Sequence, residues 1–468
     1  ADDYDALDAV PHYLDLEKFS PYLGFPLCNV PPPGDSASDY AKYFMGEFLE
    51  VFDHLVVRPE TYYLRDFYRS GQFNAHIDRF LQNAHLVREA YLQVSKAERP
   101  ENWYPFQVIC ENCGKIATTV VTDYNDKEVF YTCKPDATEY TQGCGHSGWI
   151  SPFDGNGKLP WKVEWVAKWD LLGVTIEMAG KDHSQKGGSR DVANAICRKV
   201  LQKQPPFHAP YEFILVNGTK MSSSRGIGSG AKEISQFLPP ELLRFLMLRT
   251  QPKTVINFVP NYETTTRLFR DYDTLIEKYQ KFQLDGGELS KELLPLVYAQ
   301  LEDDVKADYP FDLSTLISLL QVPHLNLQAE IAKRSDRELM PSDWEAIDRR
   351  IATAKKWLED YADPEEKLIL YIDSIPESAR QLTAEQVTYL THLIPALMQQ
   401  DEWEAEALQT VIFSTAKAQE IAPTNAFPAI YMTFLGKERG PKAGSIFSYL
   451  DRSFVIQRLK DVIAIADG

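Results

Sequence analysis

Four cysteines carry the densest chemistry in the chain: Cys110-x-x-Cys113, then Cys133, then Cys144. Thiolates are soft ligands, and four of them on strand ends and tight knuckles supply what a closed tetrahedral Zn2+ site requires. The longer step to Cys144 leaves His146 open as the fourth ligand in its place. The pattern offers no fifth or open position, so the metal is expected to hold shape. It would contribute on the order of 10 kcal/mol of apparent binding energy to folding its segment. Cys28 and Cys197 stand alone, and Cys197, in an amphipathic stretch, is expected in a core. Six cysteines in 468 residues are far too few for a disulfide scaffold. That usage points to a reducing compartment, the cytoplasm.

A second string offers phosphate chemistry. Asn217-Gly218-Thr219-Lys220-Met221-Ser222-Ser223-Ser224-Arg225-Gly226 follows a predicted strand and reads as a flexible loop. Its ammonium can neutralise charge developing on phosphate, while hydroxyls and backbone N–H groups hold the oxygens of a triphosphate. Upstream, Gly180-Lys181-Asp182-His183 leads into Gly187-Gly188-Ser189 at the start of a predicted helix. Glycines let a ligand approach the backbone, and a helix N-terminus favours anions. Asp182 suits a ribose hydroxyl pair, and His183 suits a polar group of a second substrate. The two segments together describe a two-sided nucleotide pocket.

These groups need elements to position them. Apolar residues recur at helical spacing over Ser36–Val57 and Asn74–Glu98. Short β-rich runs follow at Phe106–Ile109, Ile116–Val121 and Glu128–Thr132, around the cysteines, and read as a block inserted into a larger α/β domain. Strands near Val174–Met178 and Phe213–Val216 flank a helix at Ser189–Gln202. After Pro240 the chain is expected to turn helical and stay so, with capping boxes at Ser342–Glu345 and Thr383–Gln386. A net charge of −18, with 44% hydrophobic and 25% charged residues, fits a soluble multidomain protein. No apolar run approaches the roughly 18–20 residues of a membrane span.

Lys220-Met221-Ser222-Ser223-Ser224 resembles the KMSKS signature of class I aminoacyl-tRNA synthetases. Taken with Gly180–His183, Gly187-Gly188-Ser189, Leu159–Trp165 and Gly440-Pro441-Lys442-Ala443-Gly444, the chain resembles the class I lysyl-tRNA synthetase family over essentially its whole length. The resemblance implies an α/β Rossmann-type catalytic domain with a β-rich zinc-binding insertion, then an all-α helical-cage anticodon-binding domain. The corresponding boundaries are catalytic residues 1–100 and 159–235, the zinc insertion 101–158, a stem-contact helical region 236–290 and the anticodon domain 291–468. The implied activity is lysine–tRNA ligation: L-lysine attacks the α-phosphate of ATP, with Mg2+, and the adenylate then esterifies tRNA(Lys). Activation is expected to need tRNA.

By the same resemblance, Lys220 and Ser222–Ser224 act on the phosphates. Gly180, Asp182, Gly187, Gly188, Lys220 and Met221 bind ATP, and Trp161, His183 and Tyr211 line the lysine site. An aromatic face suits an ammonium. Two features depart from the family. No two of the nine histidines are three apart, so a His-x-Gly-His motif is expected to precede Ala1, in a longer parent chain. A further Asp/Cys/His metal cluster is expected to be missing, since its positions match Pro32, Ser36, Ala37 and Tyr43.

Two alternatives stand beside the ligase reading: a non-aminoacylating tRNA-binding paralogue, and a glutamyl-tRNA ligase using Arg190 or Lys181 to pair a substrate carboxylate. Net charge is not local potential. Lys437, Arg439, Lys442 and Arg452, with Arg458 and Lys460, lie among the aromatics Phe434, Phe447, Tyr449 and Phe454. Unpaired anticodon bases stack on aromatics, so this region is the expected tRNA reader.

Overall fold

Short ladders carry the strands of this computed structural model, which describes residues 1–220, 231–306, 309–322, 325–364 and 366–466. The chain divides into two units, Ala1–Pro260 with Lys281–Val305, and Asn261–Gln280 with Lys306–Gly468. The boundary between the units falls within residues 236–290. The helix Pro240–Leu248 lies in the first unit, while most of the helix Tyr262–Asp285 falls in the second.

In the first unit, helices Tyr40–His54, Asn74–Gln82 and Ala84–Ser95 form where helical spacing predicted them. The cysteine block holds β1 (Gln107–Val108), β2 (Thr119–Tyr124), β3 (Val129–Cys133), β4 (Ser147–Ile150) and β5 (Gly157–Lys158). β2, β3 and β4 make an antiparallel meander, and β1 pairs with β5. Next come β6 (Ala179–Gly180), β7 (Pro210–Tyr211), β8 (Ile214–Val216), β9 (Thr219–Lys220) and β10 (Ile256–Phe258). The strand expected at Val174–Met178 is reduced to an Ile176–Phe207 bridge ahead of the parallel β6–β7 pair. β10 corrects the expectation of unbroken helix after Pro240, since it pairs in parallel with β8. Three residues are too few for a period-2 signal to declare itself. The core gathers Tyr68, Phe73, Ile77, Phe80, Val163, Val166, Val192 and Ile196, with Cys197 buried among them as expected.

The second unit is helical. Its core includes Tyr389, Leu393, Leu397, Ile412, Phe434 and Leu459. Thr383 and Gln386 form the predicted reciprocal cap, Gln386 N–H donating to Thr383 Oγ1 at 3.3 Å and Thr383 N–H to Gln386 Oε1 at 2.9 Å. The Ser342 cap is not formed. That helix starts earlier, at Pro341, and Asp343 accepts the Met340 N–H at 2.8 Å. A proline pre-set for the first helical position outcompetes the serine behind it. Among the described residues, no helix is long and apolar enough to cross a membrane.

One buried ion cluster ties the start of the chain to two helices. Arg65 donates from Nε to Asp3 and from Nη1 and Nη2 to Asp39 at 2.7 and 2.8 Å. Asp39 also caps the helix Tyr40–His54 through the Lys42 N–H at 3.0 Å. Burial alone would raise the Asp39 pKa, but the Arg65 guanidinium and that cap hold it at about 2. A depressed carboxylate pKa adds stability at neutral pH that is lost as pH falls through the range between the ordinary value and the folded one. Thermal melts should show that loss from about pH 4 towards 2. Arg65→Met should remove about 3–5 kcal/mol at neutral pH, because it strands two buried carboxylates. It should also flatten the acid limb, and an unchanged limb would refute this assignment.

Candidate active site and metal cluster

The hairpin β8–β9 turns through Asn217 and Gly218, both at positive φ (51° and 72°), with Val216 opposite Thr219 and Leu215 opposite Lys220. Asn-Gly is a favoured pair for such a two-residue turn. The flexible loop expected from Asn217 is thus a hairpin up to Lys220, and the Gly218 N–H is pinned to Asn257 Oδ1 at 2.9 Å. The Asn-Gly pair was the available signal. Met221, Ser222, Ser223 and Ser224 lie outside the described residues.

The parallel β6–β7 pair sets Gly180 beside Tyr211. The chain then folds back on itself: the His183 N–H donates to the Gly180 carbonyl at 3.0 Å, and the Arg190 N–H to the His183 carbonyl at 3.0 Å. Asp182 is exposed, and one carboxylate oxygen accepts the His183 N–H at 3.2 Å. The His183 ring meets Trp161 edge to face at 5.6 Å and Trp165 at 6.2 Å. Trp161 and Tyr211 are each 44% exposed. The ammonium of Lys162 stands 5.5 Å from the Trp161 ring and 5.6 Å from Tyr91. Burial lowers its pKa.

Both cations proposed to hold a substrate carboxylate are occupied. Lys181 Nζ lies 2.6 Å from Glu212, and the buried Arg190 donates to Glu177 at 2.8 Å and to the Pro206 carbonyl at 3.0 Å. Gly187 takes φ +76° and donates its N–H to Asp191 at 2.9 Å, ahead of the helix Ser189–Ile196. At Gly188 a Cβ would stand 2.7 Å from the Gln185 carbonyl oxygen and 3.0 Å from that of His183. The turn therefore needs these glycines in the absence of any ligand.

Behind this turn, Tyr68 donates to the buried Glu164 at 2.7 Å and accepts the Leu159 N–H at 2.9 Å, holding the segment that leads to Trp161. Burial raises the Glu164 pKa, against the pull of Lys158.

The Sγ atoms of Cys110, Cys113, Cys133 and Cys144 all lie within 4.8 Å of one another, a group able to hold a metal ion. Two knuckles present them: the Gly114 N–H donates to the Cys110 carbonyl and the Gly145 N–H to the Cys133 carbonyl, each at 2.8 Å. Hydrogen bonds back the sulfurs, with Cys144 N–H 3.3 Å and Thr118 Oγ1 3.1 Å from Cys133 Sγ. The four-cysteine group does not include His146, whose ring packs on Tyr131 at 5.9 Å.

In the second unit, Lys437, Arg439 and Lys442 line a cavity of about 590 Å³, shared with Arg334, Gln321 and Tyr449. Arg334 was not expected, since nothing in the sequence links it to a segment so far downstream. Arg452 is placed differently. It donates to the Leu397 and Met398 carbonyls at 3.2 and 2.7 Å, closing the C-terminal end of the helix Ala384–Met398, and it is not among the cavity's lining residues. Arg458 likewise donates to the Tyr371 and Ile372 carbonyls. Phe434 and Phe447 are fully buried in the core, so neither can stack on a base as expected.

Comparison with known proteins defines the class from both units at once. Residues 1–298 match the family model described as tRNA synthetases class I (K), and residues 331–463 match the anticodon binding domain. A class I synthetase catalytic domain is thus followed by a helical anticodon-binding domain. The chain belongs to the class I (K) tRNA synthetase family. A protein named lysine–tRNA ligase from Thermoplasma volcanium is 33% identical over 99% of this chain and 88% of its own. One of the same name from Methanococcus maripaludis is 32% identical over 98% and 87%. A solved glutamate tRNA ligase from Elizabethkingia meningosepticum aligns over 91% of this chain and 89% of its own at a TM-score of 0.38 and 12% identity, a likeness that carries no argument.

The crowding at Gly188 yields a test. Gly188→Ala should cost about 1–3 kcal/mol, because both clashing atoms are backbone oxygens that cannot swing aside. An unchanged denaturation midpoint would show that the turn has room.

Proposed function

We propose that the protein is a lysine–tRNA ligase, which activates L-lysine with ATP to lysyl-adenylate and transfers it to tRNA(Lys). The carrying observation is electrostatic. Two cations beside the aromatic group around His183, Lys181 and Arg190, are neutralised by Glu212 and Glu177. A glutamate side chain would find no unpaired guanidinium or ammonium among these two, whereas a lysine ammonium is suited to the exposed faces of Trp161 and Tyr211. The names of the relatives support the same substrate.

On this reading the first unit is Rossmann-type, with residues 101–158 as its zinc-bearing insertion. Gly180, Asp182, Gly187 and Gly188 face ATP, and Lys220 with Ser222–Ser224 acts on its phosphates. Trp161, His183 and Tyr211 hold the lysine. The lysine carboxylate attacks the α-phosphate, pyrophosphate leaves, and the terminal ribose hydroxyl of tRNA then displaces AMP. Positioning and charge stabilisation supply most of such acceleration, without a dedicated side-chain base. Mg2+ would accompany the nucleotide and neutralise its phosphates.

The donor set fits zinc. Four sulfurs about 2.3 Å from a tetrahedral ion stand about 3.8 Å apart, and Cys110–Cys144 and Cys113–Cys133 are separated by 3.6 and 3.7 Å. Zn2+ would hold β1, β3 and the knuckle before β4 together. The cavity of the second unit, with Lys437, Arg439 and Lys442 on its wall, suits the phosphates and an unstacked base of an anticodon.

Two measurements test this reading on the product of the complete coding sequence. ATP–pyrophosphate exchange in the presence of tRNA should proceed with lysine and not with glutamate. Exchange with glutamate alone would overturn the substrate, and tRNA binding without exchange would leave a binding module. Elemental analysis should find one zinc per chain, lost in Cys133→Ala together with protease resistance of residues 101–158. Full resistance without metal would remove the structural role.

A further inference from the structure

Glu177 lies outside every segment singled out by motif, yet three donors converge on it. Its Oε1 accepts the Trp165 indole N–H at 2.8 Å, and its Oε2 accepts the Trp169 indole N–H at 2.5 Å and Arg190 Nη1 at 2.8 Å. The Arg190 guanidinium stacks 4.4 Å over the Trp169 ring and 5.4 Å from Trp165. Trp165 in turn stacks on Trp161, with centroids 5.9 Å apart and an interplanar angle of 28°, and meets His183 at 6.2 Å. A single carboxylate thereby fixes the ring that backs two walls of the proposed amino-acid site.

We propose that Glu177 is a positioning residue for amino-acid recognition, acting through Trp165, whose ring backs the Trp161 and His183 walls of the site. One hydrogen bond carries this. The indole cannot rotate while its N–H is held, so Trp161 and His183 keep a fixed backing. Arg190 stands over the Trp165 ring and pairs with the same carboxylate, so Trp165 acts by holding its neighbours in place and not as a bare anion's proxy.

The proposal rests on the lysine reading, and its test separates the two. Exchange kinetics on the full-length protein should give Glu177→Gln a KM for lysine at least about 10-fold higher, with kcat within about 3-fold and the KM for ATP unchanged. A role confined to folding would lower the amount of active enzyme and leave KM alone. Near-ultraviolet circular dichroism should lose intensity from the Trp161–Trp165–Trp169 cluster in Glu177→Gln. Trp165→Phe keeps a ring but removes the donor, so Glu177→Gln should add little to its lysine KM. Additive effects, or a lysine KM unmoved in Glu177→Gln, would overturn the proposal while leaving the ligase intact. Absence of lysine-dependent exchange in the unmodified protein would overturn both.

Discussion

Glu177 receives donors from two helices, Trp161–Leu171 and Ser189–Ile196, while flanking a strand whose regular ladder is only two residues long. That combination sets the logic of the first unit. A two-residue ladder supplies few hydrogen bonds, each worth about 1 kcal/mol net, and cannot by itself hold a turn in one register. Buried carboxylates take over the task. Glu164 joins Tyr68 and Lys158, and Asp3 with Asp39 joins Arg65. Each acid draws donors from separate segments, and leaving any donor unmet would cost more than the contact contributes. Geometry is thereby specified by penalties against misplacement more than by the strength of the ladders.

The same economy shapes the chain's cations. A protein with a net charge of −18 can meet a polyanion only where its cations gather locally. Arg65, Arg190, Arg350, Arg452 and Arg458 are committed internally, to carboxylates or to backbone carbonyls. Arginine suits this duty because its planar fork meets two acceptors at once. Lys437, Arg439 and Lys442 line one cavity in the second unit, where they matter through local potential and not through total charge.

Much of this was legible from residue types, and the failures share a cause. The cysteine pattern was readable because metal ligation constrains both spacing and chemistry, and the Thr383 cap because its partners are three residues apart. What could not be read was the direction in which a side chain points. Arg452 and Lys442 look alike in a basic stretch, yet one closes a helix end and the other lines a cavity. Phe434 and Phe447 read as stacking platforms but fill the core, since an amphipathic helix does not announce which partner its apolar face will find. Glu177 was invisible for a further reason. Its partners lie 8, 12 and 13 residues away on other elements, so its role exists only after folding.

Neutralised cations also bear on how a site tells lysine from glutamate. Lysine carries its charge two methylenes further out than glutamate and with the opposite sign, so reach and charge both separate the two. On this reading aromatic faces, with Lys181 and Arg190 already paired, offer the ammonium an electrostatic partner and deny a carboxylate those two cations. Lys162 sharpens the constraint. Its ammonium already stands near Trp161 on the side of Tyr91, so an incoming cation is directed away from that edge and towards His183 and Trp165. The preference for lysine on this reading depends less on a dedicated acid than on the aromatic faces and on the prior pairing of Lys181 and Arg190.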